Sequence, residues 1–214
     1  MVEKTKALEA YQEAGEDPKA LECIPMLKRS DIKREAAKII NEELTVDDSL
    51  FLYHDVCTNG IGYVDLMFKT DSIAPEQIPY LGLLKSVLGY VDTENYTYGE
   101  LFNEINANTG GINCGVEVFD RADSTEEFQA MFSVRGKALY TKMDFLFKMI
   151  GEILNSSKLE DTKRLYEIVA SVKSRAQVNL TGAGHSTAVL RAAAYSSPMA
   201  AFQDEMAGIG YYQF

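Results

Sequence analysis

The chain has only two histidines, the side chains that most often serve as general bases and metal ligands near neutral pH. Neither lies in a His-x-x-Glu-His or His-Glu-x-x-His motif, and no Cys-x-x-Cys spacing occurs. We therefore expect no zinc site built from a local motif. His54 falls in a predicted strand beside Asp55, and we interpret it as a hydrogen-bonded or exposed sheet residue.

The segment Gly182–Thr187 combines glycines, a histidine and hydroxyls, which two kinds of site use. A phosphate-binding loop follows a strand, whereas a predicted helix precedes this segment, so we expect a turn between helices. A catalytic triad could include His185 and Ser186, but the chain has no Gly-x-Ser-x-Gly elbow. We predict no catalytic, metal-binding or cofactor-binding residue in this chain.

Adjacent carboxylates can work as an acid and a base when their surroundings separate their pKa values. The adjacent acidic pairs include Glu42-Glu43, Asp47-Asp48 and Glu126-Glu127. All three lie in polar stretches, so we interpret them as solvated charge.

Composition narrows the class of protein. The 214 residues are 46% hydrophobic and carry a net charge of -11, from 21 basic and 32 acidic residues. The hydrophobic content excludes a disordered chain, and the acidic balance argues against nucleic acid as a partner. No run approaches a membrane span, the start lacks a signal peptide, and three widely separated cysteines suit reduced thiols. We expect a cytoplasmic protein without a membrane partner.

The first residues and the rest of the chain differ in pattern. Residues 1–15 predict a charged helix with a narrow apolar stripe. Pro18 and Pro25 interrupt the chain, so the globular part is predicted to begin near Cys23. Residues 30–43 have a helix-forming composition.

Two hairpins are predicted. The first joins residues 50–56 to residues 61–69 through Asn59-Gly60, a pair that supplies the positive φ angles of a tight turn. In its second strand Val64 and Leu66 share the buried face. The second hairpin joins the alternating runs 112–118 and 128–134.

The remaining segments have helical spacing. Residues 78–90 predict one helix, and Thr97-Tyr98-Gly99-Glu100 has the form of a capping box that begins the next. Further helices are predicted from residue 137, along 165–176, and over 183–194 and 198–208. The order of elements predicts an α+β fold, in which an antiparallel sheet carries helices on one face.

Several segments together resemble a known family. They are Ile24–Leu27, Ser30–Ile32, Asn59–Tyr63, Pro79–Leu84, Val91–Tyr98 and Leu101–Gly111. From about Cys23 onward the chain resembles the presequence-protease branch of the pitrilysin/insulinase zinc metallopeptidases. The similar part of those enzymes is the first domain of their non-catalytic C-terminal half.

The resemblance implies a fold, domain limits and a metal elsewhere. It implies the metallopeptidase domain repeat, with residues 1–22 as a helical linker arm and 23–214 as one α+β domain. It places zinc in the catalytic domain of a larger parent, on a His-x-x-Glu-His motif. Superposition of the related domains in sequence puts Tyr80 and Leu84 at the two histidines and Leu83 at the glutamate, and these residues supply neither ligand nor base.

The implied role is that of a non-catalytic domain in a metalloendopeptidase that degrades peptides in a closed chamber. The domain would form chamber wall and aid substrate selection, and would be inactive alone. Its implied partners are the catalytic N-terminal half, the final C-terminal domain and peptide substrates. The alternatives are a stand-alone binding or assembly module of the same fold, and an independent hydrolase that uses His54 or His185.

Overall fold

The computed structural model describes residues 2–15, 18–35, 38 and 40–214. The chain divides into two compact units, Met1–Val56 and Cys57–Phe214. The division between linker arm and domain at residues 22 and 23 stays a prediction.

The first unit has little core. Its elements are helices α1 (Val2–Glu13) and α2 (Pro18–Leu21), a 3-10 turn (Arg29–Asp31), and strands β1 (Glu42–Val46) and β2 (Ser49–Tyr53). Its described side chains are all exposed. The charged helix predicted over residues 1–15 is confirmed as α1. The helix predicted over residues 30–43 is wrong where the structure describes it, because β1 begins at Glu42, and Ala36, Ala37 and Ile39 lie outside the described residues.

The first predicted hairpin is wrong in its pairing. β2 pairs antiparallel with β1, across a turn in which Asp47 has a φ of 51°. The Asn59-Gly60 turn does form, with φ values of 53° and 83°. It leads into β3 (Ile61–Lys69), however, which pairs with a distant strand.

The second unit is the α+β domain that the sequence predicts. Its strands are β3, β4 (Ile112–Arg121) and β5 (Ser124–Leu139), and its helices are α3 (Ile78–Val87), α4 (Tyr98–Asn108), α5 (Met143–Ser156), α6 (Thr162–Gly182), α7 (Gly184–Ala193), α8 (Pro198–Ala207) and α9 (Ile209–Gln213). The sheet is antiparallel in the order β3-β5-β4. The predicted hairpin of β4 and β5 is confirmed.

The core lies on one face of this sheet. Side chains alternate across a strand, and the register aligns Leu66 of β3 and Cys114 of β4 with Val134 of β5. Val134 is fully buried, as are Leu146 and Met149 of α5. Helices therefore cover the apolar face, while Tyr63 on the other face is 64% exposed.

Local signals begin the helices. Thr97 and Glu100 form the predicted capping box, in which the Glu100 amide donates to the Thr97 hydroxyl and the Thr97 amide donates to the Glu100 carboxylate. The helix predicted from residue 137 begins later, at Met143, because β5 continues to Leu139 to pair with Ile61. The short helix α9 is not anticipated by the sequence analysis.

Candidate functional site

Helix α3 carries the residues that the family resemblance sets against the zinc motif. The 3-10 turn Pro75–Gln77 leads directly into it, and Pro79 lies in its first turn, where a missing N–H leaves no intrahelical bond unmade. Tyr80, Leu83 and Leu84 follow within one and a half turns. The side chains at positions i, i+3 and i+4 of a helix share a face, so these three lie together.

These three side chains line one apolar groove of about 490 Å³. The groove lies against α3 and α6, and its apolar lining includes Ile73, Leu83, Leu84, Leu159, Leu165 and Val169. The polar groups of its lining are the Tyr80 hydroxyl and the Gln77 amide. Tyr80 is 59% exposed, and its ring meets that of Phe214 edge to face at 4.7 Å between centroids.

The groove residues do not fit a zinc ion. Zinc in proteins takes imidazole, thiolate or carboxylate ligands, and the lining of the groove offers none of these. Among the described residues as a whole, no group of three or more His, Cys, Asp or Glu side chains is placed to hold a metal. What the groove can do is receive apolar side chains, since burial of apolar area is its main source of binding free energy.

The opposite side of α3 packs against the end of the chain. A Cβ atom on Gly82 would lie 2.6 Å from the carbonyl oxygen of Met206 and 2.9 Å from the ring of Tyr211. Gly82 therefore allows α8 and α9 to approach the α3 backbone closely. The sequence gives no sign of this contact because its partners lie far along the chain.

The two histidines belong to different units. His54 lies just after β2, is exposed, and its Nδ1 is 2.7 Å from the carbonyl oxygen of Ile40. His185 lies at the start of α7 and is exposed, as is Ser186. The segment Gly182–Thr187 joins α6 to α7, so the predicted turn between helices is confirmed.

The adjacent acidic pairs named above are exposed, as predicted. The informative carboxylates are two that the sequence analysis misses. Asp204 of α8 is 1% exposed and accepts hydrogen bonds from Arg191 and from the amides of Ile209 and Gly210. It ties α7 to α8 and caps α9.

Glu152 of α5 is the second buried carboxylate, at 8% exposure. It accepts hydrogen bonds from the amide and the side chain of Asn95, at 3.2 and 2.9 Å. Hydrogen bonds from Thr93 and then Asn95 lower the pKa of Glu152. The carboxylate therefore fastens the loop before α4 to α5. A lone acid among apolar residues in a helical stripe is the only sequence signal for such a group.

The cysteines are free thiols. Cys23 and Cys57 are exposed, and Cys114 of β4 is partly buried. Burial raises the pKa of Cys114 to about 11, so its thiol stays protonated and inert near neutral pH. Within the described residues, no helix is long and apolar enough to cross a membrane.

Comparison with known proteins agrees with the resemblance seen in the sequence. The model of a peptidase-associated domain family, that of metallopeptidase family 16, subfamily C, matches residues 1–214. Protein HypA of Clostridium perfringens (strain 13 / Type A) is 36% identical over 214 residues, which are 100% of this chain and 22% of HypA.

Two organellar proteins are also similar. Presequence protease 1, chloroplastic/mitochondrial, of Arabidopsis thaliana is 28% identical over 210 residues, which are 98% of this chain and 19% of that protein. The mitochondrial presequence protease of Yarrowia lipolytica is 29% identical over 199 residues, or 93% of this chain and 20% of that protein. The chain thus spans about a fifth of the length of these curated relatives.

Proposed function

The chain belongs to the peptidase-associated domain family of metallopeptidase family 16, subfamily C, and from this premise we propose that it is a non-catalytic domain of a zinc-dependent metalloendopeptidase. In this proposal the parent degrades peptides in a closed chamber. The domain forms part of the chamber wall and aids substrate selection. Its partners are the catalytic half and the final domain of the parent chain, together with the peptide substrates.

The observation that carries the proposal is the chemistry of the groove along α3. The family resemblance sets Tyr80, Leu83 and Leu84 against the ligands and base of the zinc motif, and all three line an apolar groove. A surface of this kind holds apolar side chains of an extended or helical peptide without activating water. It suits substrate holding better than hydrolysis.

Peptide binding tests the role of the groove. We expect the chain to bind a labelled peptide with apolar side chains at helical spacing, measured by fluorescence anisotropy, and to leave it uncut with or without zinc. Val169→Glu puts a charge into the groove and should weaken binding roughly tenfold, because burying a charge opposite apolar groups is unfavourable.

The matched control is Val178→Glu on the same helix. Val178 is 66% exposed and does not line the groove. Its substitution should leave peptide affinity within about twofold of the parent value. Equal effects of the two substitutions would contradict the groove as the binding surface.

The alternatives give different results in two further assays. A stand-alone module would not bind the catalytic half of a presequence protease in a pull-down, whereas a peptidase domain would. An independent hydrolase would cleave peptides and lose that activity on replacement of His54 or His185 by alanine. One zinc per chain retained through gel filtration, measured by elemental analysis, would also count against the proposed inert role.

We also propose that the protein works in a reducing compartment such as the cytoplasm. Free cysteines at Cys23 and Cys57, both exposed, support this location, since oxidising compartments favour disulfides. Titration of the protein with a thiol reagent directly after cell lysis should count three free thiols. A smaller count without added oxidant would contradict the proposal.

A further inference from the structure

A second pocket lies on the other side of α3, between α3, α6, α7 and the end of the chain. It has a volume of about 300 Å³, at the lower end of the range for small-ligand sites. Two cations line it, Lys85 of α3 and Arg175 of α6, and none of its lining residues is acidic. This is unusual in a chain with a net charge of -11.

Both cations lack an anionic partner. Among the described residues, neither Lys85 nor Arg175 forms an ion pair with a carboxylate. Lys85 is partly buried, and burial lowers the pKa of its ammonium group. A buried cation without a counter-charge is unfavourable, and a bound anion would relieve that cost.

The pocket also contains an unsatisfied buried hydroxyl. The Tyr211 hydroxyl is buried and is the one buried side-chain polar atom without a hydrogen-bond partner in the described part of the chain. Tyr211 lines the pocket with its ring against Gly82 of α3, and Arg175 interacts electrostatically with its phenol. A phenol, an ammonium and a guanidinium all donate hydrogen bonds, so the three groups converge on the needs of an anion.

The rest of the lining indicates what the anion is attached to. Val172, Leu180 and Met206 supply apolar walls, and Asn179 and Thr187 supply further polar groups. A bare inorganic anion would leave the apolar walls without contact. A small acid with a hydrocarbon body would use both parts of the pocket.

We propose that this pocket binds a carboxylate carried on a short apolar body, the chemistry that the C-terminal residue of a peptide presents. Lys85, Arg175 and the Tyr211 hydroxyl bind the carboxylate. The amide of Asn179 remains for the peptide bond before it. The inference depends on the residues of this pocket alone and does not rest on the proposed peptidase role.

Titration with a peptide-end mimic tests the proposal. N-acetyl-leucine should bind the 214-residue chain saturably with one site, measured by calorimetry at low ionic strength. N-acetyl-leucinamide has the same body without the carboxylate, and should bind at least roughly tenfold more weakly, since charge-assisted hydrogen bonds are lost. Equal affinities for the two compounds, or no saturable binding, would overturn the proposal.

Three substitutions locate the site. Lys85→Met, Arg175→Gln and Tyr211→Phe should each weaken N-acetyl-leucine binding roughly tenfold. The matched control is Lys173→Met, which removes an exposed cation of α6 that does not line the pocket. Arg175 is itself exposed, so its variant tests binding even if the Lys85 variant unfolds. Unchanged affinity in the Arg175 and Tyr211 variants would reject the pocket as the site.

Two further ligands distinguish the source of the anion. 4-Methylpentanoate, a free acid with the leucine body, should bind more weakly than N-acetyl-leucine, because it lacks the peptide group that Asn179 recognises. Inorganic phosphate should bind more weakly still. Tighter binding of either ligand than of N-acetyl-leucine would overturn the assignment to a peptide end.

Discussion

Asp204 shows how one buried charge organises the end of the domain. Its carboxylate is 1% exposed and joins the Arg191 guanidinium to the first amides of α9. A carboxylate at a helix N-terminus interacts favourably with unpaired amides and with the helix dipole. Asp204 therefore holds three helices together through one side chain.

Replacement of Asp204 should destabilise the domain. We expect Asp204→Ala to lower the free energy of unfolding by about 2–3 kcal/mol, because two amides and a cation lose their acceptor. Denaturant unfolding at pH 7 measures the loss. Asp204→Asn keeps one acceptor oxygen and should lose less. Equal stability of the alanine variant and the parent would show that the amides find other partners.

The low pKa of Glu152 gives the stability of the domain a defined pH dependence. A carboxylate whose pKa is lowered by folding stabilises the folded state above its unfolded value, about 4.3, and this contribution is lost as pH falls through the lower folded value. Parent and Glu152→Gln should therefore differ most at pH 7 and converge as the pH falls below about 4. Melting temperatures across this range measure the difference.

The matched variant for this test is Asn95→Ala. It removes two donors to Glu152 without touching the carboxylate. Its deficit relative to the parent should also shrink in acid. A deficit of either variant that stays constant with pH would mean that the hydrogen bonds to Glu152 do not favour its charged form.

At the scale of elements, the packing of α3 against α8 and α9 depends on Gly82. Alanine is a better helix former than glycine by about 1 kcal/mol, so an unpacked site would gain stability from the change. At Gly82 the added methyl group would meet a backbone oxygen at 2.6 Å. We expect Gly82→Ala to cost about 1–2 kcal/mol net, because overpacking outweighs the propensity.

The control for Gly82 is a helical glycine with free space. A Cβ on Gly151 of α5 would come no closer than 4.0 Å to Asn155. Gly151→Ala should be stabilising by up to about 1 kcal/mol in the same unfolding experiment. Loss of stability in both variants would mean that the contact with Met206 and Tyr211 is not what distinguishes Gly82.

The elements that could be predicted are those whose signals are local. The Thr97 and Glu100 capping box lies within four residues, and it forms as expected. The Asn59-Gly60 turn also forms, but its strand partners were wrong, because a turn sequence does not determine which strand a distant segment joins. The start of α5 was misplaced for the same reason, since pairing with Ile61 extends β5.

The candidate sites were less predictable than the elements. The sequence analysis aligned Tyr80, Leu83 and Leu84 with the zinc motif and gave no sign that they share a groove with Val169. The pocket at Tyr211 depends on helices that meet only after folding. Contacts of this kind are set by packing across the domain, which one sequence without relatives does not reveal.

At the scale of the whole molecule, the net charge of -11 should govern how peptides approach. Under the proposed function we expect basic amphipathic peptides to bind more tightly than acidic ones with the same apolar pattern. Charges attract over the Debye length, about 10 Å at 0.1 M salt and 3 Å at 1 M. Affinity for the basic peptide should fall roughly tenfold between these salt concentrations.

Anisotropy titrations of both peptides at several salt concentrations measure this effect. The acidic peptide serves as the control, and its affinity should stay constant or rise with salt. A basic peptide whose affinity does not change with salt would show that the apolar groove alone determines binding. The charge of the chain would then have no part in substrate selection.

The pairing of β3 with β5 also determines when the sheet can assemble during synthesis. Ile61 pairs with Leu139 and Lys69 with Met131, so β3 leaves the ribosome long before its partner exists. At ~5–20 residues per second, translation leaves this nine-residue strand without a neighbour for several seconds. The β4 and β5 hairpin, which closes over a short turn, is ready as soon as it emerges. A nascent chain stalled before Met131 therefore exposes β3 to chaperones, and one stalled after α5 can bury it.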